Sequence, residues 1–119
     1  MDPVFFKNQA ALRAWFEANY TTKTELLVGY YKVGSKNESV TWSQSVDEAL
    51  CFGWIDGIRR SIDEASYCIR FTPRKPGSNW SAVNVKKVEV LTGLGLMRDA
   101  GQEAFSKRKD SKTDIYGRK

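Results

Sequence analysis

Residues 54–72 constrain the fold more than any other stretch of this chain, because they read as two strands joined by a local turn. Tyr67, Ile69 and Phe71 alternate on one face of the second strand, and 61–66 (Ser-Ile-Asp-Glu-Ala-Ser) supplies the turn. Strands paired this way cannot belong to a purely parallel sheet with helical crossovers. The elements around the hairpin must therefore pack on an antiparallel sheet.

The flanking segments supply those elements. Asn8 caps a helix whose apolar residues Leu12, Trp15, Phe16 and Tyr20 fall at helical spacing. Residues 25–33, rich in Leu, Val and Tyr, read as a strand, 34–39 as a loop, and 40–42 as a second short strand. Ser45 and Glu48 form a capping-box pattern for a helix that carries Val46, Ala49 and Leu50 and stops near Gly53. Beyond the hairpin, Pro73 and Pro76 break the strand. Ser78 or Asn79 then opens a helix to about Leu91, with Trp80, Val83, Val88 and Leu91 inward. Gly93-Leu-Gly95 stops that helix, and Asp99 with Gln102 caps a last one over 100–107. The expected fold is α+β: one small antiparallel sheet of three to four strands packed by about four helices.

A chain of 119 residues is enough for one domain with a real core. The net charge of +5 looks like a signature for nucleic acid until its distribution is read. Residues 106–119 hold six cations and two carboxylates, leaving thirteen against twelve for 1–105. The expectation is a domain over 1–105 and a basic, flexible tail over 106–119, with nucleic acid a minor reading. No apolar run approaches the roughly 20 residues that span a bilayer, and the N-terminus lacks a signal peptide's pattern. Membrane insertion is not expected, and a cytoplasmic location is. Cys51 and Cys68 are too few for a disulfide framework and read as small buried hydrophobes.

The hairpin also carries the polar residues of interest. A four-residue loop over 63–66 pairs Ile62 with Tyr67, which sets Ile58 opposite Phe71, Arg59 opposite Arg70 and Gly57 opposite Thr72. Two facing arginines repel unless something negative lies between them. One answer is a bound phosphate or carboxylate, with Gly57 leaving room and Arg74 and Lys75 adding charge. The other is an internal carboxylate, Asp47, Glu48 or Asp56, which ties the hairpin to the preceding helix. Trp54 and Trp80 can stack on a ligand ring, although core packing explains them more economically. Asp56-Gly57 reads as a tight turn or a bulge that aims the carboxylate. Ser78 lies at a helix start, where it can meet an anion or simply cap. The candidate ligand-binding residues are thus Trp54, Asp56, Gly57, Arg59, Arg70, Thr72, Arg74, Ser78 and Trp80.

Three segments in order, 45–57 (Ser-Val-Asp-Glu-Ala-Leu-Cys-Phe-Gly-Trp-Ile-Asp-Gly), 70–74 (Arg-Phe-Thr-Pro-Arg) and 78–84 (Ser-Asn-Trp-Ser-Ala-Val-Asn), resemble the YdeI/OmpD-associated family of bacterial proteins. The resemblance runs over about 5–116. It implies a link to bacteriocin protection, names no reaction, and corresponds to such a protein without its usual C-terminal helical segment.

Several chemistries are disfavoured by residue content. The chain has no histidine, so neither a Ser-His-Asp triad nor a histidine zinc site can form. No Walker loop or dinucleotide fingerprint is present. Neither a metal nor a cofactor is expected, and a nucleophilic Cys51 is a minor reading. The leading expectation is a non-enzymatic binding domain for a small anionic or polar ligand, or for an acidic peptide. One alternative is a small enzyme using Asp56 with Arg59, Arg70 and Arg74. The other is an interaction module for a protein or nucleic acid.

Overall fold

The computed structural model describes residues 2–108. Strand β1 (Val4–Phe5) leads into helix α1 (Gln9–Asn19), strand β2 (Leu26–Tyr31) and helix α2 (Trp42–Cys51). The hairpin β3 (Trp54–Asp63) and β4 (Ser66–Pro73) follows, then α3 (Ala82–Gly93) and α4 (Asp99–Ser106). The chain is an α+β protein with a four-stranded sheet in the order β1-β2-β4-β3. β4 lies antiparallel between β2 and β3, whereas β1 runs parallel to β2, so the sheet is mixed rather than wholly antiparallel. That parallel edge depends on Gly29. A Cβ there would sit 2.8 Å from the Phe5 ring, which covers Gly29 and stacks on Tyr31 at 4.5 Å.

The N-terminal helix forms as its sequence requires. The Asn8 side chain accepts from the Ala11 N–H at 2.9 Å, and Leu12 and Phe16 are fully buried. The second helix starts earlier than expected. Residues 40–42 are not a strand, because Thr41 rather than Ser45 is the N-cap. Thr41 Oγ1 accepts from the Gln44 N–H at 3.1 Å, and Gln44 Oε1 accepts in return from the Thr41 N–H at 3.1 Å. Both Thr41-x-x-Gln44 and Ser45-x-x-Glu48 satisfy the capping-box pattern, and tertiary contacts decide between them. Ser45 Oγ is buried, donating to the Trp42 carbonyl at 2.6 Å and lying 2.7 Å from the Tyr30 hydroxyl. The Tyr30 hydroxyl thus ends inside the protein.

One face of the sheet carries the core. Val28 and Tyr30 of β2 and Ile69 and Phe71 of β4 pack with Leu12, Phe16, Val46, Leu50, Val88 and Leu91 from the helices. An aromatic cluster of Trp15, Phe16, Phe52 and Trp54 knits α1 to the end of α2, with ring centroids 5.3 to 5.8 Å apart. Glu48, buried on α2, accepts from Arg13 Nη1 at 2.9 Å and Gln9 Nε2 at 2.7 Å, and Arg13 Nη2 donates to the Leu96 carbonyl at 2.7 Å. This one carboxylate links α1, α2 and the α3–α4 connection. The last helix docks backbone to backbone: a Cβ on Gly101 would lie 2.3 Å from the Cys51 carbonyl.

The third helix is capped by Ser81, which accepts from the Asn84 N–H at 3.0 Å, so neither Ser78 nor Asn79 starts it. Val83 consequently faces solvent while Trp80, Val88 and Leu91 are buried. The final helix starts one residue early, at Asp99, with no side-chain cap. Residues 109–119, most of the expected basic tail, lie outside the described residues.

Candidate functional site

The register of the hairpin decides which polar residues can act together. Asp56 pairs with Phe71 and Arg59 with Ile69, so two residues of β3, Gly57 and Ile58, oppose one of β4. That is a β-bulge, and it shifts every later pair. Arg59 is therefore not opposite Arg70. Arg59 shares the face of Ile69, and Arg70, the next residue of β4, points to the other. The local turn is also tighter than a four-residue loop, with Asp63 pairing Ser66 across a second irregularity. Asp63 Oδ1 accepts from the Ala65 N–H and Ser66 Oγ, both at 2.8 Å, and these bonds hold its carboxyl below the usual range.

Arg59, Arg70 and Arg74 find different partners, and among the described residues only Arg70 of the three has a carboxylate. Arg70 Nε donates to Glu25, so the internal carboxylate is neither Asp47, Glu48 nor Asp56. Asp47 instead accepts from Lys87 Nζ at 2.7 Å. Arg74 lies 3.8 Å over the buried Trp80 ring and donates from Nη1 to Ser78 Oγ at 3.1 Å and the Asn79 carbonyl at 3.0 Å. Burial lowers the Arg74 pKa to about 10, partly offset by the field of Asp56. Arg74 and Ser78 thus clamp the 74–81 loop onto the core. Trp54 and Trp80 are 1% and 2% exposed, so neither presents a free ring to a ligand. Thr72 pairs with Ile55 on the face of Arg70.

The nine expected residues do not form one site: Arg74, Ser78 and Trp80 form one contact group, Trp54 and Arg74 line a hollow of about 360 Å³, and three others line a separate hollow. Asp56, Gly57 and Arg59 line a hollow of about 450 Å³ with Trp42, Tyr67 and Ile69. The Arg59 guanidinium lies flat over Tyr67, 3.9 Å from the ring centroid, and no carboxylate comes within ion-pair distance of it among the described residues. Tyr67 is fixed from below by the buried Tyr30, stacked at 4.9 Å. Burial pushes the Tyr30 hydroxyl pKa well up, so it stays a neutral phenol held by Ser45. Trp42, half exposed on the first turn of α2, forms the wall of the hollow. A guanidinium pinned on an aromatic face keeps its edge donors free for a planar anion.

Sequence reasoning missed Trp42, Tyr67 and Ile69 as site residues. Tyr67 and Ile69 were legible only as the apolar face of a strand. Trp42 was hidden by reading 40–42 as a strand, and the Thr41–Gln44 capping box was the signal that would have placed it at a helix start. Larger hollows lie along α3, about 520 Å³, and beside the 32–41 loop, about 590 Å³; the second shares Trp42 and Tyr67 with this hollow but not Arg59 or Asp56. Cys51 and Cys68 are buried and free, and burial raises the Cys51 thiol pKa, which works against a nucleophilic role. Among the described residues no group of three or more Cys, Asp or Glu could hold a metal ion, and no helix is long and apolar enough to cross a membrane.

A family model described as a domain of unknown function, DUF8412, matches residues 4–104. No curated protein and no solved structure matches the chain. The chain therefore belongs to the DUF8412 family.

Proposed function

Because the description of the DUF8412 family names no activity, we propose from the geometry that this domain is a non-enzymatic binding module. Its ligand is a small molecule bearing an anionic group, seated in the hollow between the hairpin and the start of α2. The observation that carries this reading is Arg59, held over Tyr67 with no carboxylate partner among the described residues. A charge-assisted, bidentate contact from such a guanidinium contributes on the order of 1.5–3 kcal/mol. Trp42 and Ile69 supply apolar wall and floor, the usual lining of small-ligand sites. Any link to bacteriocin protection rests on the motif resemblance alone.

The test is a thermal-shift and titration screen of wild-type protein against inorganic phosphate, nucleotides and small carboxylates at fixed salt. Saturable stabilisation that Arg59→Leu removes supports the reading. Stabilisation unchanged in Arg59→Leu, or none from any class, overturns it.

A further inference from the structure

We infer that the ligand of this hollow is a zwitterion, an α-amino acid or a similar small molecule whose carboxylate meets Arg59 and whose ammonium meets Asp56. The inference rests on the binding reading above and names its ligand class.

The bulge is the first ground. Residues three apart on a regular strand point to opposite faces, but the extra residue between Asp56 and Arg59 puts both on the face of Phe71 and Ile69. Opposite charges on one face would ordinarily close into an ion pair. Here they do not: no Asp56 oxygen lies within 4.0 Å of any described cation, and its carboxylate accepts no hydrogen bond from the described residues.

The reason is directional. Along β4 the face reads Phe71, Ile69, Tyr67, opposite Asp56, Arg59 and Ser61 in turn. Arg59 leans onto Tyr67, away from Asp56, and leaves Ile69 as an apolar floor between the two charges. The roots of Asp56 and Arg59 are two β4 positions apart, roughly 7 Å, and the lean of Arg59 adds to that. Two hydrogen bonds of about 2.9 Å with an ammonium-to-carboxylate span of about 3 Å between them cover roughly the same gap.

Charge logic favours the dipolar ligand over either half. An anion on Arg59 alone would feel Asp56 as a like charge across the hollow, and a bare amine on Asp56 would feel Arg59 in the same way. Only a molecule bearing both signs in the right order satisfies both walls. Gly57 lines the rim between them, and the exposed Trp42 offers a flat wall to an apolar or aromatic substituent.

The experiment compares L-phenylalanine with 3-phenylpropionate, which lacks the ammonium, and 2-phenylethylamine, which lacks the carboxylate. Each of these, and inorganic phosphate, is titrated into the wild-type protein, Asp56→Asn and Arg59→Leu while backbone amide shifts of 55–60 and 67–70 are followed. The expected result is at least ten-fold tighter binding of phenylalanine than of either fragment in the wild type. In Asp56→Asn that advantage over 3-phenylpropionate disappears. If 3-phenylpropionate or inorganic phosphate binds in an Arg59-dependent way and phenylalanine binds no better, the zwitterion inference falls and the anion site stands. If none of these probes moves the hollow's resonances, both readings fall.

Discussion

Arg59 of β3 and Arg70 of β4, on paired strands of one hairpin, stand on opposite faces of the same sheet. Arg59 lies 3.9 Å over the Tyr67 ring on the helix-covered side, while Arg70 pairs with Glu25 on the open side. One bulge residue between Asp56 and Arg59 produces this separation, since a slip of one position exchanges the faces of every residue that follows.

Binding should accordingly depend on one arginine and not the other. Arg59→Leu is expected to weaken an anionic ligand by about 10- to 100-fold, the loss of a charge-assisted contact. Arg70→Leu should leave affinity within a factor of two, measured by calorimetric titration. Equal losses in the two variants would mean that the ligand sits elsewhere.

The buried Glu48 carboxylate holds three parts of the molecule through Arg13 and Gln9. Removing the cation leaves the carboxylate with a single amide donor. Arg13→Met is therefore expected to cost about 3–5 kcal/mol in denaturant unfolding, and a cost under 1 kcal/mol would show that water replaces the lost donor.

Phe16 is fully buried between Trp54 and Phe52, whereas Trp15 keeps an edge in solvent. Phe16→Ala should destabilise by about 3–5 kcal/mol. Trp15→Ala should cost less, because part of its surface is never removed from water, and the two unfolding midpoints compared side by side check the order.

The contact of α4 with the end of α2 needs the absence of a side chain. Gly101→Ala is expected to cost about 1–3 kcal/mol or more, because the new methyl would meet the Cys51 carbonyl. Gly93→Ala, with open space around it, should be neutral or stabilising by up to about 1 kcal/mol. Thermal midpoints of the two variants moving in opposite directions would bear this out.

Alkali should loosen the fold. Burial raises the pKa of Cys51 above its ordinary 9.0 and that of Tyr30 above its ordinary 10.0. Above those values the unfolded chain gives up protons that the folded chain keeps, so the stability of the folded state falls as pH rises. The slope approaches about 1.4 kcal/mol per pH unit for each group in that range. Urea unfolding at pH 8, 9 and 9.8 should show the Cys51 part of the decline; above pH 10 the lowered pKa of Arg74 acts with the opposite sign, so the Tyr30 part is read as the difference between wild type and Tyr30→Phe.

The hairpin, the Asn8 cap and the buried faces of α1 and β4 were legible because their signals are local: a cap three residues from its donor, an alternation of period two, a glycine past a helix end. The start of α2 was not, since two capping boxes compete within eight residues and only the buried Tyr30–Ser45 contact takes Ser45 out of contention. Glu25 as the partner of Arg70 was equally hidden. The two residues lie 45 apart in sequence and meet because β2 pairs with β4.

The sequence by itself determined the α+β class, the hairpin and the concentration of polar residues around 54–81. Tertiary structure alone decided which of those residues share a site. A bulge costs one residue and carries no fixed pattern in a single sequence, yet it sets the face of every side chain beyond it. It therefore put Arg59 on the face of Asp56 and Tyr67, and left Arg70 to Glu25 on the far side of the sheet.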